Sequence, residues 1–153
     1  MHSSKPGFFH PLNPQKYVGD VKNIYYRSQL ELKLLMWLDR HPHILKYSVE
    51  PFQIPYFWET DRRWHNYTPD VLVKQMGIGG KEEVVLIEVK PDKQTRPPKR
   101  PPAGKKPSKN FLTETVTWRK NNAKWKAAQA YCEQRNWRFQ IITDKELNVR
   151  YSK

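Results

Sequence analysis

"VVLIEVK", residues 84–90, decides how the chain folds. Four apolar residues in succession mark a strand covered on both faces, the pattern of a sheet interior. The run then ends in Glu88 and Lys90, two residues that resist burial. Side chains alternate along a strand, so Glu88 and Lys90 point the same way, about 7 Å apart along the chain. A carboxylate and an ammonium at the end of a core strand are either a structural ion pair or a site.

Working outward, "GIGG" (77–80) is a turn; it lacks the G-K-[ST] sequel of a phosphate loop. Before it, "WHNYTPDVLVKQM" (64–76) reads as a second strand, entered through Thr68-Pro69. The tight connection between these two runs predicts an antiparallel hairpin. "ILKYSVEPFQIPYF" (44–57) is strand-like but interrupted by Pro51 and Pro55, which predicts an edge strand with a break. The first helix lies in "YYRSQLELKLLMWLDRHP" (25–42), where Leu30, Leu34 and Leu38 recur every four residues with Leu35 beside them. Ser28 is its candidate N-cap, and Pro42 stops it by about Arg40.

Downstream, a second helix is expected over 114–134, with Trp118, Trp125, Ala128 and Cys132 on one stripe. "RFQIIT" (138–143) is a fourth strand, and 144–147 start a short terminal helix or turn. A helix between the third and fourth strands permits a parallel crossover. The expected fold is α/β: a small mixed sheet with helices on both faces, in the order αβββαβ.

The 153 residues suit one domain, 1–153, with a core of ordinary size. Residues 1–22 read as an irregular arm whose aromatics pack on the domain or on a partner. Residues 91–110 hold six prolines, seven Lys or Arg and one acid, so they carry +6 of the chain's net +13. Little there can offset the entropy of ordering, and a flexible basic loop is expected. A charge of +13 attracts polyanions, chiefly nucleic acid. Neither an amphipathic basic helix nor a lipidation signal is present, so a membrane is not an expected partner. Cys132 is the sole cysteine, which excludes an intrachain disulfide and a cysteine-based zinc cluster. That favours a reducing compartment, and the N-terminus has no apolar leader segment, so a cytoplasmic protein is expected. The tryptophans are expected in core and arm packing rather than as base-stacking platforms.

Glu31 on the first helix, Asp70 opening the second strand, and Glu88 with Lys90 on the third form the candidate constellation. In the predicted hairpin, Asp70 and Glu88 fall on neighbouring strands near one end. Two such carboxylates can hold Mg²⁺ and leave water on it. Each residue also has a plainer reading. Glu31 stands three after Ser28, the spacing of a capping box. Asp70 after proline can be a turn acid, and Glu88 with Lys90 a strand-end ion pair. His41-x-His43 follows a helix end and lacks an obvious third ligand.

Pro69-Asp70 and the Glu88–Lys90 triplet "EVK" resemble the signature of the PD-(D/E)XK nuclease superfamily, with its restriction-endonuclease-like core. "YRSQLE", "YTPDVLV" and "LIEVK" are similar to TnsA-type transposon endonucleases, and closer to the head completion nucleases of contractile-tailed phages. The latter resemblance takes in "NPQKYVGD" and "NNAKWKAAQAYCEQRNWRFQIIT", and so most of the chain. It implies that Asp70 and Glu88, with the Val89 carbonyl, ligate Mg²⁺ or Mn²⁺, and that Glu31 touches a metal through water or supports a second one. Lys90 would orient the attacking water and stabilise charge on phosphorus. The products would carry 5′-phosphate and 3′-hydroxyl ends.

DNA is then the expected partner, held by Lys99, Arg100, Lys105 and Lys106 of the basic loop and by Arg27, Arg119, Lys120 and Lys124. The phage resemblance adds the portal or head vertex as protein partners and the host cytoplasm, or the virion head, as location. A homodimer is expected if both strands are to be cut by paired sites. The alternatives are a transposon end-cutting or resolvase-type endonuclease of the same fold, and a DNA-binding head plug that does not cut.

Overall fold

The 84–90 run lies within a four-stranded sheet. The computed structural model describes residues 5–150, with side chains up to Asn148. β1 (Gly7–Phe8) and β2 (Tyr25–Tyr26) form a short antiparallel pair ahead of α1 (Gln29–Arg40). β3 (Ile44–Val49) follows, and then β4 (Ile54–Trp58) and β5 (Arg63–Tyr67), which pair as a separate hairpin. β6 (Val71–Met76), β7 (Glu82–Lys90), α2 (Lys109–Glu133), β8 (Arg138–Thr143) and α3 (Asp144–Arg150) complete the chain. The main sheet runs β3-β6-β7-β8; β7 is antiparallel to β6 and parallel to β8. With the β4–β5 hairpin taken as an insertion, the order α1-β3-β6-β7-α2-β8 is the expected αβββαβ of a mixed α/β fold.

Alternation along β7 divides the core. Val85, Ile87 and Val89 join Val71, Val73, Tyr47 and the leucines of α1, with Leu147 of α3, on one face. Leu86 points the other way, into a cluster of Ile54, Tyr56, Tyr67, Ala128 and Cys132 beneath the hairpin and α2. Leu34, Leu35 and Leu38 are buried, each contributing about 2 kcal/mol by area removed from water. Trp125 is buried as expected, whereas Trp64 is largely exposed at the hairpin. Among the described residues, no helix is long and apolar enough to cross a membrane.

Two strand boundaries differ from expectation. The 44–57 run is two strands in two different sheets, separated at Glu50, whose φ of 43° turns the chain. The 64–76 run also divides: its first residues end β5, and β6 starts only at Val71. Proline restricts the residue before it and donates no ladder hydrogen bond, so Thr68-Pro69 separates the strands instead of extending one. α2 starts at Lys109, five residues before Glu114, because the Ser108 hydroxyl caps it by accepting from Phe111 N–H at 3.1 Å.

The arm packs on the domain, although its first four residues lie outside those described. Phe9 and Ile24 are buried in the core, and the Tyr17 ring meets Tyr47 edge-on. Asp39, 1 % exposed at the end of α1, accepts the backbone N–H groups of Leu12 (2.8 Å) and Asn13 (3.1 Å). Asp39→Ala leaves both donors without an acceptor and is expected to cost about 3 kcal/mol in urea denaturation.

Candidate active site

Glu88 and Lys90 share the side of β7 that faces α2 and the hairpin, because they alternate with Val89. Glu88 is 4 % exposed. Such a carboxylate needs partners: the Tyr67 hydroxyl donates to its Oε1 at 2.8 Å, and Lys90 Nζ lies 3.5 Å from its Oε2. Burial, and then the charge of Glu88, push the Tyr67 phenol far above its ordinary pKa, so it stays a donor.

Asp70 sits just before β6, where the pairing of Val71 with Ile87 brings it beside Glu88. Its Oδ2 accepts the Val89 N–H at 2.7 Å, which ties the carboxyl to the backbone of β7. Glu88 is its charged neighbour across the β6–β7 pair. Burial is the largest cause that raises the Asp70 pKa well above the carboxylate range; the charges of Glu88 and Glu31 add to it. Burial likewise raises Glu31, against an opposing hydrogen bond from Arg27 N–H.

Glu31 combines parts of both its readings. Ser28 Oγ accepts from Glu31 N–H at 3.3 Å, as a cap does, but Glu31 Oε2 accepts from Arg27 N–H at 3.0 Å rather than from Ser28. Its charge is felt at Asp70, yet among the described residues no three His, Cys, Asp or Glu side chains form a ligand cluster. The site is therefore a two-carboxyl site with Val89 backbone beside it. That donor set fits a hard divalent cation, which takes one or two carboxylates and completes its shell with water and phosphate oxygens. The His41 and His43 rings lie 5.2 Å apart, tilted 39° to each other.

Cations rim the acids. Lys124 lies 5.9 Å from the centre of the Tyr67 ring, and Lys120 lies 5.9 Å from that of Trp58. Burial, and then the neighbouring charge of Lys90, lower the Lys124 pKa. Arg27 pairs with Glu50 at 2.6 Å and stays well exposed. Arg119, Lys99, Arg100, Lys105 and Lys106 are all exposed.

Two residues were missed by sequence reasoning. The sequence pattern places Tyr67 in the second strand; only the Thr68-Pro69 break signals that it belongs to another layer, with its hydroxyl over Glu88. Glu50 donates its N–H to the Asp70 carbonyl at 2.9 Å from a left-handed backbone conformation and holds Arg27.

The TnsA-like endonuclease N-terminal family matches residues 41–144, a span that includes Asp70, Glu88 and Lys90. The head completion nuclease of Enterobacteria phage T4 is 39 % identical over 143 residues, 91 % of each chain. The chain belongs to the TnsA-like endonuclease family. Within that family it is of the head completion type, since the likeness to the phage nuclease runs along nearly the whole chain, α1 included. A nuclease of this family acts on DNA by hydrolysing phosphodiesters, and Asp70, Glu88 and Lys90 are where its fold brings acid and base together.

Proposed function

We propose that the chain is a divalent-metal-dependent DNA endonuclease that trims or finishes the end of packaged DNA before the tail joins. The observation that carries the reading is the Asp70–Glu88 carboxyl pair, Glu88 buried and Asp70 half-buried, with Lys90 Nζ 3.5 Å from Glu88. Asp70, Glu88 and the Val89 carbonyl would hold Mg²⁺ or Mn²⁺, with Glu31 supporting through water. The cation would supply Lewis acidity toward a phosphoryl oxygen and make water a better nucleophile. Tyr67 fixes Glu88, and the Val89 N–H fixes Asp70, so neither carboxyl reorganises during reaction. Lys90 would orient the attacking water and stabilise charge on the phosphoryl oxygens, while Lys120 and Lys124 would hold the flanking phosphates.

The phage relative favours action in the host cytoplasm during assembly, with the head vertex or portal as protein partner. Phe8, Leu12 and Val18, exposed on the arm, offer apolar surface for such docking. A homodimer would place two sites on the two strands. The test is plasmid cleavage in Mg²⁺ or Mn²⁺ against EDTA. Lys90→Ala is expected to retain its fold and lose about 10²–10³-fold in rate. Equal rates for Lys90→Ala and wild type would mean that another nuclease is in the preparation and that this reading is wrong.

A further inference from the structure

The segment that follows Lys90 does not simply run away from the acids. It folds back along the first half of α2 and encloses a cavity of about 500 Å³. Lys93, Arg96 and Lys99 line one wall; Thr117, Trp118 and Asn121 line the other. Glu114 also lines it, so three cations face one acid. Arg96 is partly engaged by Asp92 at 2.7 Å.

We propose that this cavity takes one unpaired nucleotide of the DNA strand being cut, so that the enzyme acts on DNA with unpaired nucleotides beside the cut: a frayed end, an overhang or a branch. The inference rests on the DNA cleavage proposed above and names its substrate class. Three features point to a nucleotide. The excess of cations selects an anionic ligand. Trp118 lines the cavity and supplies an aromatic ring on which any base can stack. Asn121, 5 % exposed, and the Thr117 hydroxyl bring amide and hydroxyl groups that can pair with a base edge. The volume lies within the range of small-ligand pockets. A base inside a duplex is already stacked and paired and cannot enter; only an unpaired or extruded one can.

Position makes the pocket part of the same strand path. Lys93 follows Lys90 by three residues, at most about 10 Å of chain. Asn121 precedes Lys124 by three, about 4.5 Å of helix rise, and Lys124 feels the charges of Lys90 and Glu88. A nucleotide in the cavity is thus a near neighbour of the phosphate at the acids.

The test uses fluorescence anisotropy in EDTA with a dye-labelled blunt duplex and the same duplex carrying a four-nucleotide overhang. Thr117→Glu places a bulky negative side chain in the cavity from an exposed helix position that does not threaten folding; Trp118→Ala removes the stacking wall. Both variants are expected to bind overhang DNA about 10-fold more weakly, the scale of one lost base stack, with blunt-duplex affinity changed less than about twofold. Losses equal on both DNAs, or no loss on the overhang, overturn the pocket. Wild-type cleavage of the overhang-bearing duplex in Mg²⁺ separates the two readings. If that duplex is cut but overhang and blunt DNA bind alike, only the pocket falls, whereas an overhang duplex left uncut ends the nuclease reading on which the pocket depends.

Discussion

Asp70→Asn is expected to slow cleavage about 10³-fold and, in the metal-free protein, to raise the melting temperature at neutral pH. Asparagine has the shape of aspartate. Its oxygen can still accept the Val89 N–H, and its amide can donate to Glu88 where wild type sets one carboxyl against another. Two carboxylates about 5 Å apart repel by roughly 3 kcal/mol at an effective dielectric of 20. Relief of that order corresponds to about 5–10 °C for a chain of this size. The pH dependence carries the same sign. Burial, Glu88 and Glu31 raise the folded pKa of Asp70 above its unfolded value of about 4. A carboxyl shifted upward stabilises the fold fully below the unfolded pKa and loses that contribution as pH rises through the folded one. Metal-free wild type should therefore lose stability as pH climbs from about 4 toward neutrality, and Asp70→Asn should lose less. Mn²⁺ at a hundredfold excess over its Kd would return about 2.7 kcal/mol to wild type and nothing to the variant. Cleavage should fall by about 10³-fold, as when a charge-stabilising group is removed from a reacting centre. An asparagine variant that melts below wild type in EDTA, or that cuts at the wild-type rate, refutes the paired-carboxyl site.

That convergence was legible because a strand has a period of two and a hairpin has a register. Glu88 had to face with Lys90, and a tight connection had to bring Asp70 alongside. α1 was equally plain, since Leu30, Leu34 and Leu38 mark one face and Ser28 caps it. Tyr67 was hidden because local pattern does not say which sheet a strand joins. β5 and β6 are close in sequence and both rich in strand formers, and only the missing proline N–H separates them. Glu50 was hidden for a related reason: a left-handed turn at a non-glycine residue has no compositional mark. The early start of α2 escaped because residues 109–113 have no apolar period, and a capping serine after proline looks like more loop.

Replacing the cations of residues 91–110 with glutamine is expected to flatten the salt dependence of DNA binding by about five in log–log slope. Each phosphate contact on duplex DNA contributes about 0.9 to that slope. Seven Lys or Arg lie in the segment, but the Arg96 guanidinium is held by Asp92 at 2.7 Å, which leaves six for phosphates. Lys93, Lys99, Arg100, Lys105, Lys106 and Lys109 are all exposed, so neutralising them removes charge without opening the core. The segment begins at the residue after Lys90, so its cations lie along whatever strand reaches the acids. Affinity measured at 50 and 200 mM salt should differ about 10³-fold less for the neutralised protein than for wild type. Cleavage at low salt and saturating DNA should stay near the wild-type rate, because Asp70, Glu88 and Lys90 are untouched. An unchanged slope would mean that the segment meets solvent or protein rather than phosphate, and a slope lower by only one or two would confine DNA to the Lys120–Lys124 face of α2.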